Sequence, residues 1–140
     1  MAGVVVLDAS VLIAFFKDDD PFHGKASAVV LGAIGRGDEI AASELTVAEY
    51  LVGAVGSGEV GSAETELADL GLRRRDLPPS FAPRLARIRH DARVKLPDAA
   101  VILTAVDAAE DGTGAVAVAT FDARLRAGAA TYGIGSAIED

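Results

Sequence analysis

Four carboxylates in this chain stand where a fold gathers side chains instead of spreading them. Asp8 follows the apolar run Val4-Val-Val-Leu7 and precedes Ala9-Ser10-Val11. Glu49 lies near the start of a helical pattern in Leu45-Thr-Val-Ala-Glu-Tyr-Leu51. Asp98 follows Pro97 at the head of Ala99-Ala-Val-Ile-Leu-Thr-Ala-Val106, and Asp122 follows the run Ala115-Val-Ala-Val-Ala119 and opens Ala123-Arg-Leu125. Each has a simpler use. Asp8 and Asp122 suit helix N-caps, and Glu49 suits a surface position favoured by a helix dipole. Asp98 gains from the same dipole, but its helix is apolar nearly all round, so its N-terminus should be partly buried and the carboxylate needs a partner.

As a set the four acids read differently. Clustered carboxylates raise each other's pKa unless a cation neutralises them. The chain has no cysteine, and His23 and His90 each lack a companion at metal-binding spacing. An oxygen-only donor set points to Mg²⁺ or Mn²⁺ rather than zinc. Such an ion lowers the pKa of a bound water and stabilises charge on a phosphate, so phosphodiester hydrolysis is the natural reaction class.

The elements that must position these acids follow from periodicity. Val4–Leu7 is β-branched and apolar, the mark of a strand buried on both faces of a parallel sheet. Helical patterns run over Ser10–Phe16 and His23–Arg36, with a weaker strand at Ile40–Ser43 between them and the next helix, Thr46–Val55. The Gly56-Ser-Gly58 break ends that helix. Gly61–Leu70 is helical, Leu72–Leu77 a short strand closed by Pro78-Pro79, and Phe81–Val94 a basic amphipathic helix. Pro97 starts an apolar helix to Glu110, since proline fits a first turn. A loop at Asp111–Gly114, a strand at Ala115–Ala119, a short helix at Asp122–Arg126 and a last strand within Ala130–Asp140 complete the chain. Strands alternating with helices imply an α/β fold with a mainly parallel sheet. Right-handed crossovers cover both faces and put the β-to-α junctions on one edge, where such folds bind ligands.

Composition bounds the rest. At 140 residues, the chain is expected to form one domain, residues 1–140, with a real core. The start has neither a basic leader nor a long apolar core, and no stretch reaches the roughly 18 apolar residues of a membrane span. A soluble cytoplasmic protein with no membrane partner is the expectation. The net charge of −8 argues against a simple nucleic-acid binder. Yet eight of the 13 Lys and Arg residues fall between Arg73 and Lys95. That asymmetry suits a carboxylate site beside a basic strip, and equally an acidic domain with one solvated basic helix. Arg73-Arg-Arg75 reads as solvated surface, as do Glu44, Asp107, Glu110 and Asp111.

Val5-Val-Leu-Asp-Ala-Ser-Val-Leu-Ile-Ala14 resembles the opening motif of PIN-domain nucleases. Leu45–Leu51, Leu96-Pro-Asp-Ala-Ala100 and Ala119-Thr-Phe-Asp-Ala-Arg-Leu125 resemble the family's other three acidic segments, in order and over essentially the whole chain. The resemblance implies a three-layer α/β/α sandwich with strand order 3-2-1-4-5, and a metal site of Asp8, Glu49, Asp98 and Asp122. It implies that Ser10 and Thr120 position metal, water or neighbouring acids. Phe121 departs from the pattern, where a polar residue often stands. Single-domain members of this size resemble VapC-type toxins, which implies Mg²⁺-dependent RNA cleavage, a cognate antitoxin and a homodimer. On this reading Arg84, Arg87, Arg89, Arg93 and Lys95 guide RNA to the site; a solvated helix face is the alternative.

Three rivals share the size and acidity. A receiver-like phosphosignalling domain needs an acidic pair near the first strand and a late lysine, but Asp8 has no adjacent acid and no lysine follows Lys95. A haloacid-dehalogenase-type phosphatase needs an aspartate where Ser10 stands. A non-catalytic PIN scaffold is opposed by the intact acid set.

Overall fold

The computed structural model describes residues 2–112 and 114–139. Its centre is β1 (Val4–Leu7), four buried residues flanked on both sides by parallel partners. Val5 lies opposite Ile40 of β2 (Glu39–Ser43) and Ala117 of β4 (Val116–Ala119). The short strands β3 (Arg73–Arg75) and β5 (Gly135–Ser136) pair in parallel with β2 and β4, so the sheet order is β3-β2-β1-β4-β5. This is the α/β arrangement the resemblance implied.

The two-residue period of β1 splits the core. Val5 and Leu7 join a cluster with α1 (Ala9–Phe16), α2 (His23–Gly35), α3 (Glu44–Ser57) and α4 (Val60–Leu70). Val4 and Val6 join the other, built from α5 (Phe81–Ala92), α6 (Leu96–Glu110) and α7 (Ala123–Thr131). α6 lies centrally in this second layer, with Ala99 through Ala105 all buried. Its uniformly apolar surface, headed by Pro97, is what its sequence requires.

Three expectations need correction. The strand expected over Leu72–Leu77 is confined to Arg73–Arg75. These arginines are not simply solvated: Arg74 forks onto Glu44 at 2.8 Å through both Nε and Nη2 and meets Glu64 at 2.5 Å. Arg75 holds Glu39 at 2.8 and 3.2 Å, with Asp111 at 3.7 Å. An edge strand of three cations is thereby fixed by acids from β2, α3, α4 and the turn after α6. The last helix runs to Thr131 instead of stopping at Arg126. Gly128 disguises it, because glycine weakens helices. Here a Cβ would lie 3.1 Å from Ala92 Cβ and 3.2 Å from Ile102 Cδ1, so glycine lets α7 pack closely on α5 and α6. The final strand is only Gly135–Ser136 within the region expected to hold it, whose last residue, Asp140, lies outside the described residues. Thr113, in the expected loop, does too. Among the described residues no helix is long and apolar enough to cross a membrane.

Candidate active site

Parallel strands end on a common edge, and the acids collect there. Asp8 immediately follows β1, Asp122 comes three residues after β4, and α3 follows β2 directly, carrying Glu49 in its second turn. Glu49 is therefore deeper in its helix than its sequence context implied, because α3 begins at Glu44. Asp98 occupies the first turn of α6.

Asp8 is the most enclosed of the four, at 6% exposure. Its Oδ1 accepts hydrogen bonds from Ser10 Oγ at 2.6 Å and from the Val11 N–H at 3.0 Å, so it caps α1. Its Oδ2 accepts from Thr120 Oγ1 at 2.5 Å. Thr120 is fully buried, and the same hydroxyl accepts the Asp122 N–H at 3.0 Å. One threonine thus ties the end of β1 to the loop after β4. Asp122 is exposed and caps α7, its Oδ1 accepting from the N–H groups of Arg124 and Leu125. Both cap readings hold for Asp8 and Asp122, and neither conflicts with a further role. Phe121, where a polar residue was expected, stacks on Phe22 with ring centroids 4.6 Å apart. Its N–H reaches Ser10 Oγ only at 3.5 Å, the limit of a hydrogen bond.

The electrostatics couple the acids. Burial pushes the Asp8 carboxyl above the usual aspartate value; the donors Ser10, Thr120 and Val11 oppose this, and the charge of Asp122 adds to it. Burial also raises Asp98, reinforced by Asp122 and Asp8 and opposed by Lys95. Glu49 is raised by partial burial of its carboxyl, then by Asp98 and Asp8, again against Lys95. The residue is exposed overall, so solvent damps the effect. Asp122 thus acts on Asp8 and Asp98, and Asp8 and Asp98 act on Glu49, across elements far apart in sequence.

This donor set fits a hard divalent cation in chemistry: oxygen ligands only, with like charges that repel and Lys95 opposing the rise at Asp98 and Glu49. As the side chains are oriented here, no group of three or more His, Asp or Glu residues among those described is arranged to hold one ion.

A cleft of about 410 Å³ adjoins the acids, lined by Asp98 and Asp122 together with Arg89, Arg93, Lys95 and Arg124. Of the five basic residues singled out in the sequence, it therefore takes in three. Arg84 instead pairs with Glu110 at 2.5 Å. Glu110 ends α6, twelve residues beyond Asp98, or about 18 Å at the helical rise. Arg87 is exposed and does not line the cleft. Arg124 was not singled out, though it lies inside the segment containing Asp122; only the fold turns it into the cleft. His23 has a local role: its Nδ1 is 2.8 Å from the Ala14 carbonyl, joining α2 to α1.

A parallel sheet in this order, with acids gathered at the edge where its strands end, is an α/β frame with a carboxylate site where such sheets bind ligands. The family model described as PIN domain matches residues 5–130, and the chain belongs to the PIN-domain family. No curated protein matches it by sequence. Among solved structures it is similar to a toxin–antitoxin complex from Klebsiella pneumoniae, with TM-score 0.69 and 20% identity over 97% of this chain and 99% of that one. It is also similar to VapC20 of Mycobacterium tuberculosis, described as a sarcin-ricin loop cleaving toxin, with TM-score 0.61 and 18% identity over 88% and 93% of the two chains. VapBC2 from Rickettsia felis, bound to a fragment of its promoter DNA, gives TM-score 0.60 and 14% identity over 85% and 87%. Likeness at such identities concerns the fold.

Proposed function

We propose that this chain is a Mg²⁺- or Mn²⁺-dependent endoribonuclease acting as the toxin of a type II toxin–antitoxin pair. The observation that carries the reading is the placement of Asp8, Glu49, Asp98 and Asp122 at one sheet edge, after β1, in α3, at the head of α6 and after β4, beside a cleft lined by cations. Those four acids would hold the ion, which supplies Lewis acidity and a water of lowered pKa. Ser10 and Thr120 grip both oxygens of Asp8 and keep its carboxylate from rotating away. Arg89, Arg93, Lys95 and Arg124 offset the repulsion between the acids and the RNA backbone.

The antitoxin reading draws on the titles of two similar structures, which are toxin–antitoxin assemblies. A groove of about 570 Å³ between α1, α3 and α4, with Ile13, Phe16, Tyr50 and Ala54 in its lining and Lys17, Glu59 and Glu66 beside them, supports it as a place for a partner segment that is part apolar and part charged. A cytoplasmic homodimer completes the reading, on the family resemblance.

Purified protein incubated with RNA should cut it with Mg²⁺ or Mn²⁺ and stop on addition of EDTA. Asp8→Asn should remain folded and lose cleavage, whereas Glu44→Gln, which alters only the β3 ion pairs, should retain it. Full activity in Asp8→Asn would sink the assignment. Expression of the wild type alone should arrest growth, and co-expression of a small protein encoded beside it should relieve the arrest.

A further inference from the structure

We propose that the groove between α5 and α7 continues the acidic cleft and holds a flanking nucleotide of a bound single-stranded RNA, whose backbone crosses between Arg93 and Arg124. The proposal rests on the ribonuclease reading for the position of the acids, and on separate observations for the groove.

The groove measures about 440 Å³ and shares Arg93 and Arg124 with the acidic cleft, so these two residues stand where the hollows meet. Its size falls within the roughly 300–1,000 Å³ of small-ligand sites. Arg36, Arg74, Arg75 and Arg84 are engaged in ion pairs. Arg93 and Arg124 are not among them, and both are exposed. Two neighbouring unpaired cations joining two hollows complement a chain of phosphates. Beyond them the wall is small, formed by Ala92 and Ala127, with space for a base. Thr131 donates its hydroxyl to the Gly128 carbonyl at 2.6 Å and Asp91 Oδ1 lies 2.9 Å from His90 Nδ1, which leaves the threonine oxygen and Asp91 Oδ2 as acceptors for sugar and base hydrogens, chemistry that suits a ribose better than a bare phosphate.

The backbone at Arg93 points the same way. α3 and α4 end on Gly58 and Gly71 in left-handed conformations, φ 74 and 83. α5 ends in the same region, φ 57, but on Arg93. Glycine adopts that conformation without steric cost, and arginine does not. Arg93 thus stands where α3 and α4 carry glycine, although Ser80, φ 59, shares the conformation at the other end of α5.

The test is binding of a dinucleotide and of a single-stranded hexaribonucleotide, read by fluorescence anisotropy in EDTA so that no cleavage intervenes. The wild type should bind the hexamer more tightly than the dinucleotide. Ala127→Glu, an exposed change on α7, should weaken the hexamer about tenfold and leave the dinucleotide unchanged. Arg93→Gly should melt no lower than the wild type. It should also reduce the salt slope of hexamer binding by about 0.7, the contribution of one single-strand phosphate. Equal hexamer binding by wild type and Ala127→Glu would overturn the proposal, as would an unchanged slope in Arg93→Gly or the absence of any length dependence. So would a changed oligomeric mass in Ala127→Glu, which would assign the groove to a second copy of the chain. If length-dependent binding holds and the protein never cuts RNA, the nuclease reading fails while the groove stands; cleavage without length dependence gives the reverse.

Discussion

At Asp8, three donors hold a carboxylate that burial would rather see protonated. The raised folded-state pKa fixes the sign of its linkage to stability. Between the ordinary aspartate value of 3.8 and the raised one, the folded protein binds more protons than the unfolded chain. Stability from this group is therefore present at low pH and is lost as pH rises through that interval. Asp38 and Glu44 have lowered values and contribute the opposite slope. The comparison of wild type with Asp8→Asn isolates the term: in metal-free buffer, the melting temperature of the variant relative to wild type should increase as pH rises from about 4 towards neutrality. A constant difference would contradict the electrostatic picture. Thr120→Val keeps the shape of a buried side chain and removes both hydrogen bonds of its hydroxyl. Urea melts at neutral pH should show a loss of about 2 kcal/mol, with Thr120→Ser recovering most of it.

Among the elements, α6 and α7 differ in how plainly they are written. The head of α6 was readable from Pro97 and its interior from an unbroken apolar run, because a helix buried on all sides needs nothing polar. α7 was readable only as far as Arg126, since Gly128 is unfavourable for an isolated helix and valuable only against Ala92 and Ile102. Gly128→Val should overpack this junction and lower stability by about 2 kcal/mol, measured by denaturant unfolding. The smallest strands were expected but longer than they are, and what orders β3 was not legible. β3 reads as solvated surface because its side chains are three arginines, and what makes it an ordered edge is Glu39, Glu44 and Glu64, all supplied by other elements. Such pairing is decided by tertiary neighbours, which no local pattern contains.

Across the whole molecule, the placement of Asp8, Glu49 and Asp122 was legible because a parallel sheet leaves little freedom: residues that follow its strands share an edge, whatever their distance in sequence. Asp98 follows no strand and was singled out by the buried helix it heads. Their order and spacing already resembled those of the PIN-domain family to which the chain belongs. The basic residues were less legible. A run of cations between Arg73 and Lys95 looks like one strip, but the fold divides it. Arg74 and Arg75 lock β3, Arg84 turns to Glu110, and Arg89, Arg93 and Lys95 reach the cleft, where Arg124 joins them from another helix. Charge counted along a chain gives the sum, and only packing decides which cations are left to meet a phosphate.

The central claim is that these acids form a divalent-metal centre, and thermal melting with added metal tests it most directly. A ligand that binds only the folded state raises the melting temperature by mass action. Mn²⁺ or Mg²⁺ should therefore raise the melting temperature of the wild type, EDTA should reverse the rise, and a variant carrying Asp8→Asn with Asp98→Asn should lose the response. An equal response in the wild type and the double variant would contradict the account.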